Sequence, residues 1–368
     1  MIETPVLLLD RARVDRNIAR MRERMRAHGV ALRPHVKTNK SIHVTRRILV
    51  DPRGPITVST LKEAEYFASH GVTDILYAVG ITPNKLDHVA SLRARGINLA
   101  VILDNVDAAK AVVAHGASFD VLLEIDVDGH RSGLLPDSDD LLTVASALRH
   151  DNVNLRGVMT HAGSSYNCRS LDAIRAVAEQ ERARTVHAAE RLRAASFAAP
   201  VVSVGSTPTA LFADNLSGVT EVRAGVYVFF DLVMAGLGVC SVDDIAISVL
   251  TTVIGHQREK GWTIVDAGWM ALSRDRGTAT HPVDQGYGLV ADENGALLEG
   301  FVMTGANQEH GIIAHRSGDP ARLLDLPVGA QLRIVPNHAC ATAAQYDKYL
   351  VLNEAGDVED VWPRFNGW

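Results

Sequence analysis

Apolar residues mark one side of a helix almost from the start of the chain. Val14, Ile18, Met21 and Met25 are spaced four, three and four apart, the interval that stacks side chains on one face of an α-helix. Asp10 stands where an N-cap belongs and Gly29 where such a helix would stop. Beyond Gly29, short apolar runs recur at 31–36, 56–60, 74–79, 98–103, 121–127, 155–161, 201–205 and 221–226, and their length predicts strands. Amphipathic stretches at 61–70, 84–95, 105–115 and 171–195 lie between several of them. Eight strands alternating with helices over about 200 residues predict a (β/α)8 (TIM) barrel.

An open, doubly wound sheet would show the same alternation, but its glycine-rich turn after the first strand is missing. A nominal match, Gly286-Tyr-Gly-Leu-Val-Ala291, runs straight into the turn signal Asp292-Glu-Asn-Gly295 and reads as a hairpin. From about residue 244 the texture changes. Runs at 245–254, 262–265, 297–303, 331–335, 349–353 and 357–362 are β-rich and separated by turn residues. The predicted organisation is an α/β barrel over 11–240 and a mainly β domain over 241–368, joined by an N-terminal strand within 1–10.

Composition narrows the function. With 47% hydrophobic residues in 368, the chain can fill two cores. A net charge of −6 argues against a grip on nucleic acid, which needs a concentrated basic face. No apolar run is long enough to span a bilayer, and the start, Met1-Ile-Glu-Thr-Pro5, lacks the basic and apolar segments of a leader. Cys168, Cys240 and Cys340 are too few and too scattered for a disulfide framework. The expectation is a cytoplasmic enzyme with a small-molecule substrate and neither nucleic-acid nor membrane partners.

In such a barrel the chemistry gathers at the C-terminal ends of the strands. Strand one ends in Arg33-Pro-His-Val-Lys37, strand two in Ser59-Thr60, and the loop after strand five holds Gly129-His-Arg131. Strand six ends in Thr160-His161, strand seven in Gly205-Ser206-Thr207, and strand eight carries Arg223. Lys37 reads as a solvated loop lysine or as a Schiff-base lysine activated by desolvation and neighbouring cations. Gly205-Ser-Thr207 reads as a strand-end turn or as the phosphate cradle that this fold places after its last strands. A Schiff-base lysine and a phosphate cradle together describe a pyridoxal phosphate site. In Pro336-Asn-His338-Ala-Cys340, positions i and i+2 share a face if the segment is a strand. Imidazole and thiolate suit zinc, although a bare His-x-Cys equally describes a buried histidine beside an inert cysteine.

Arg33-Pro-His-Val-Lys37, Gly157-Val-Met-Thr-His161 and Glu221-Val-Arg-Ala-Gly-Val-Tyr227 resemble the alanine-racemase-fold (fold type III) pyridoxal phosphate enzymes. Within these, the chain is similar to the family of D-serine dehydratase and D-threonine aldolase, from Thr4-Pro5 to Pro363. The resemblance implies that Lys37 holds the cofactor as a Schiff base and that Arg131 approaches its 3-hydroxyl. It sets Thr60 at the cofactor site, turns His161 and Arg223 to the ring, with Arg223 at the pyridine nitrogen, and surrounds the phosphate with Gly205, Ser206, Thr207, Gly225 and Tyr227. It also implies a divalent metal on His338 and Cys340, zinc before manganese or magnesium, and a homodimer.

The activity implied is a lyase acting on D-3-hydroxy amino acids, with Lys37, His161 and Tyr166 as the catalytic set. In a dehydratase the metal makes the 3-hydroxyl a leaving group and a 2-oxo acid and ammonia result. In an aldolase the same hydroxyl loses its proton and glycine and an aldehyde are released. The aldolase branch carries Asp at the position of Cys340 and a histidine base near Tyr166 and Asn167, so both features favour the dehydratase. An amino-acid racemase and a non-catalytic pyridoxal phosphate carrier are the alternatives. Asp266-Ala-Gly-Trp269, Ser273-Arg-Asp-Arg276, Asp284-Gln-Gly-Tyr287 and Glu309-His-Gly311 are accounted for by loop packing and salt bridging as well as by catalysis.

Overall fold

The computed structural model describes residues 2–368. Two compact units divide the chain, one of Ala19–Gly225 and one combining the N-terminal residues up to Ile18 with Val226–Asn366.

The first unit is the barrel. Its strands are β2 (Ala31–Leu32), β3 (Ile56–Val58), β4 (Asp74–Gly80), β5 (Asn98–Leu103), β6 (Phe119–Ile125), β7 (Val153–Thr160), β8 (Val201–Val204) and β9 (Glu221–Val222). All pairings are parallel, in the order β2-β9-β8-β7-β6-β5-β4-β3. A bridge between His35 and Thr57 joins the two ends and closes the ring. Arg33-Pro34 is why β2 is so short: proline has no N–H for the ladder, and pairing resumes only at His35.

The strands are apolar on both faces, as parallel strands covered by helices must be. Ile75, Tyr77, Leu99, Val101, Val121 and Leu123 are all buried. On alternate positions Leu76, Ile102, Leu122 and Met159 pack together as a cluster, with Ala78, Ala100 and Val201 against it. A helix follows each strand from β2 to β8, the longest being Leu171–Ala194 after β7.

The opening helix, Arg11–His28, buries Val14, Ile18, Met21 and Met25 as the spacing predicts. Asp10 accepts from the Arg13 N–H at 2.9 Å, and Gly29 takes the left-handed conformation, φ +65°, that ends it.

The second unit is antiparallel apart from one strand pair. Its strands are β1 (Val6–Asp10), β10 (Ile247–Gln257), β11 (Trp262–Val265), β12 (Gly288–Asp292), β13 (Leu297–Ala306), β14 (Gly311–His315), β15 (Gln331–Pro336), β16 (Lys348–Leu352) and β17 (Val358–Pro363). The order β11-β14-β13-β12-β15-β10, with β10 also paired to β11, makes a closed six-stranded ring. From β10 the sheet continues through β1 and β16 to β17, with β1 parallel to β16. The glycine pattern at 286–291 forms the predicted hairpin, β12 to β13. Among the described residues, no helix is long and apolar enough to cross a membrane.

Candidate functional site

Barrel closure shapes the end of strand one. The Thr57 N–H donates to the Pro34 carbonyl at 2.8 Å and the Val36 N–H to the Thr57 carbonyl at 2.9 Å. The chain then turns, with the Lys40 N–H on the Val36 carbonyl at 2.8 Å. Val36, Thr38 and Asn39 are buried in this turn while Lys37 is exposed. The Asn39 carboxamide oxygen pins it, accepting from the Ser41 N–H at 2.9 Å and the Thr45 hydroxyl at 3.1 Å. The neighbouring Lys40 is tied to Glu63 at 3.0 Å, whose other oxygen accepts from the Ser59 N–H at 2.8 Å. The strand stops at Val58, short of the expected Thr60, whose hydroxyl instead accepts from the Glu63 N–H at 3.0 Å, capping the helix Leu61–Ser69.

Lys37 shares its surroundings with His35, His161, Arg131 and Arg223. Burial, followed by the charges on Arg131 and Lys37, lowers the His161 pKa to about 3. Burial, followed by Lys37 and Arg223, holds His35 well below the ordinary histidine range. Both imidazoles are therefore neutral at physiological pH. His161 Nδ1 lies 3.2 Å from the Gly205 carbonyl. A carbonyl only accepts, so Nδ1 carries the proton and Nε2 is left as a hydrogen-bond acceptor. The Tyr166 ring lies 6.0 Å from the His161 ring, centre to centre.

Arg223 is buried, with Nη1 donating to Ser203 Oγ at 2.7 Å and Nη2 to the Thr160 carbonyl. Burial lowers its pKa to about 10, while Glu221, Glu181 and Glu124 act to raise it. The guanidinium stays charged. Arg131 is half-exposed and lies 3.9 Å from Glu124.

Gly205 and Gly225 bring backbone into this region. A Cβ on Gly205 would fall 2.3 Å from the Arg223 carbonyl, and one on Gly225 2.7 Å from the His35 carbonyl, so neither position admits a side chain without displacement. Ser206 caps the short helix Thr207–Phe212 through a capping box with Thr209, and its hydroxyl lies 2.9 Å from that of Ser165. Thr207 is buried in the first turn. Tyr227 is fully buried in the turn Val226–Val228, which opens the second unit. The barrel thus gathers Lys37, His161, Arg131, Gly205, Ser206 and Arg223. Cations and hydroxyls are the donors that suit an anionic cofactor.

Glu181 was not among the expected residues. One of its oxygens accepts from both the Ala162 N–H at 3.1 Å and the Gly205 N–H at 3.0 Å. It therefore joins the ends of β7 and β8, next to His161 and Ser206. Its signal was legible: the buried stripe of its helix runs Ile174, Ala178, Glu181, Thr185, Ala188, Leu192, and a carboxylate on such a stripe needs partners. Glu181→Ala would leave two buried N–H groups unpaired. It is expected to cost about 3 kcal/mol of folding stability, read from chemical denaturation; Glu181→Gln, which keeps a carbonyl acceptor, should cost less.

In the second unit, His338 and Cys340 do meet, by a route other than the strand expected. β15 ends at Pro336, where the ladder loses its N–H donor. Asn337 is buried, donating to the Gly286 carbonyl at 2.6 Å and accepting from Thr278 Oγ1 at 2.5 Å. His338 is the extended N-cap residue of the helix Ala339–Ala343, and Cys340 lies in its first turn. Burial opposes charge on His338, but its hydrogen bonds to Asp275 and Cys340 prevail and raise its pKa to about 11. The Asp275 contact is 2.5 Å, on Nδ1. Buried Asp231 accepts from the Ala339 N–H at 2.9 Å and fixes the turn.

An acidic, partly buried spot that favours positive charge suits a cation, with imidazole and thiolate as its ligands. Among the described residues, no group of three or more His, Cys, Asp and Glu side chains forms a complete cage. A two-ligand pair leaves coordination positions open for water or substrate. Asp231 escaped the sequence reading because it lies far along the chain from the motif, and Asp275, within the Ser273–Arg276 segment, was not linked to it.

Two family models match: the alanine racemase N-terminal domain over residues 9–233 and a putative serine dehydratase domain over residues 246–352. The D-threo-3-hydroxyaspartate dehydratase of Delftia sp. (strain HT23) is 55% identical, over 100% of this chain and 98% of its own. The D-serine dehydratase of Dictyostelium discoideum is 31% identical, over 97% and 95%. The D-threonine aldolase of an Arthrobacter species is 32% identical, over 98% and 92%. Among solved structures, a cysteine-to-alanine variant of D-threo-3-hydroxyaspartate dehydratase, described as metal-free, superposes with a TM-score of 0.96 at 55% identity, covering 100% of this chain and 99% of its own. In a second variant of that enzyme, with a TM-score of 0.97 and 54% identity over 100% of this chain and 96% of its own, alanine replaces a histidine two positions before that cysteine, the spacing of His338 and Cys340. The chain has the alanine-racemase-like fold, a parallel eight-stranded barrel followed by an antiparallel β domain, and it belongs to the D-serine dehydratase and D-threonine aldolase family of this fold.

Proposed function

We propose that this protein is a pyridoxal phosphate- and divalent-metal-dependent carbon–oxygen lyase that dehydrates D-3-hydroxy amino acids, D-threo-3-hydroxyaspartate first among them, to a 2-oxo acid and ammonia. The observation that carries the reading is Lys37, exposed on a rigid strand-end turn among two neutral imidazoles and two arginines. Pyridoxal phosphate, when bound there, withdraws electrons from the substrate's Cα. A divalent cation on His338 and Cys340 supplies Lewis acidity toward the 3-hydroxyl.

The chain's own groups do the rest. Lys37 Nζ is the group that takes the Cα proton. His161, its Nδ1–H spent on Gly205, presents an unprotonated Nε2, a hydrogen-bond acceptor, near Tyr166. Arg223, charged and held on two hydrogen bonds, opposes a proton on a ring nitrogen placed against it. Arg131 offers a cation to the 3-oxygen of the cofactor, and Thr60, Gly205, Ser206, Thr207, Gly225 and Tyr227 complete the cofactor's surroundings.

The dehydratase branch is favoured over the aldolase by Cys340, where a carboxylate would make a harder site, and by Tyr166-Asn167 in place of a histidine base. The same reading makes the protein a cytoplasmic homodimer with a small-molecule substrate. Incubation with D-threo-3-hydroxyaspartate, D-serine and D-threonine tests it. The expected products are ammonia and a 2-oxo acid, fastest from the first; glycine and an aldehyde would establish the aldolase instead, and an L-enantiomer the racemase.

A further inference from the structure

A chain of charged and polar side chains runs through the barrel interior to Arg223. Asp74, on the first residue of β4, accepts from Arg33 Nη1 at 2.8 Å. Arg33 Nε donates to Glu221 Oε2 at 2.8 Å. The other Glu221 oxygen accepts from Ser203 Oγ at 2.7 Å, and that hydroxyl accepts in turn from Arg223 Nη1 at 2.7 Å. Exposure falls along the chain: the Asp74 side chain is 41% exposed, against 14% for Arg33 and 10% for Glu221, and Ser203 and Arg223 are buried.

We propose that Glu221, with Ser203 and Arg33, is the positioning device that sets the direction and charge of Arg223 toward the cofactor ring. Glu221 spends one oxygen on each side, so neither Arg33 nor Ser203 can turn without breaking a charge-assisted bond. Ser203 has a single proton. Giving it to Glu221 leaves only a lone pair toward Arg223, which fixes the Arg223 end as a donor. In a buried chain of this kind each bond polarises the next, so the carboxylate is felt at the guanidinium beyond direct contact. Arg223 also faces Glu181 from the helix Leu171–Ala194, Glu124 from β6 and Arg131 from the loop after it, and its charge reaches His35 and His161. Glu221 is distinguished from these by its continuous hydrogen-bonded link. The assignment rests on the reading of Lys37 and Arg223 as the cofactor's partners.

The test is spectroscopic, on the holoenzyme. The cofactor on Lys37 carries a proton whose affinity senses nearby charge, and its loss changes the absorbance. Glu221→Gln removes a negative charge, so less compensated positive charge remains and the proton is held less tightly. The pH midpoint of the absorbance change should move down by about half a unit. Ser203→Ala, which keeps the charge and cuts the link, should move it in the same direction by less. Because both act through one chain, the double variant should match Glu221→Gln and not the sum. Glu221→Asp should restore much of the midpoint.

A network that only stabilises the barrel would lower the melting temperature of these variants and leave the midpoint at the wild-type value, which overturns the proposal. Should Glu221→Gln fail to fold, Ser203→Ala decides the matter: a wild-type midpoint in that variant overturns it. Wild-type protein that takes up no pyridoxal phosphate would instead remove the cofactor reading on which it stands.

Discussion

Lys37→Ala should take up pyridoxal phosphate without a covalent link and lose about 10⁴-fold or more in turnover. The loss is large because one amine does two jobs, carrying the cofactor and moving the Cα proton, and neither has a substitute in the barrel. Borohydride reduction of the wild-type holoenzyme, followed by peptide mapping, checks the assignment. The label is expected on Lys37. Lys40, three residues on, is the informative control: its amine is tied up in an ion pair with Glu63. A label on Lys40 would show that the strand-end turn has been read from the wrong lysine.

His338→Ala should lower turnover about 10³-fold, the equivalent of about 4 kcal/mol of transition-state stabilisation, while leaving the cofactor absorbance of the enzyme as in the wild type. Exhaustive chelation should do the same to the unmodified protein, and added Zn²⁺ should restore it. The two signals separate because Lys37 holds the cofactor without help from the cation, whereas departure of the 3-hydroxyl depends on it. Cys340→Asp should keep some activity and change its preference toward Mn²⁺, since a carboxylate is a harder ligand than a thiolate. Full turnover with no metal detected would remove the metal site from the mechanism.

Much of the architecture was legible before any coordinates. The 98–103 run is a strand with those bounds because β-branched and apolar residues fill both faces and polar residues close both ends. The first helix could be read from four apolar residues and its two stops. β14, Gly311–His315, was missed: five residues behind a polar loop carry too little pattern to register. The barrel half of the site was legible as motifs at strand ends, because the fold sends those ends to one rim. In the β domain, His338 and Cys340 were expected to share a face of a strand, but that strand stops at Pro336. A helix cap brought them together instead.

What the amino-acid order determines by itself is local: which faces are apolar, where strands stop, and which reactive residue types follow them, because each depends on neighbours a few positions away. The electrostatic setting of those residues was decided only in three dimensions. Arg33 meets Glu221 across 188 positions, and Asp275 reaches His338 across 63. Such partners are chosen by strand register and ring closure, which set which distant side chains share a desolvated interior. Burial itself, reinforced by the neighbouring cations, keeps His35 and His161 neutral, and Glu221, Glu181 and Glu124 offset part of the same penalty at Arg223.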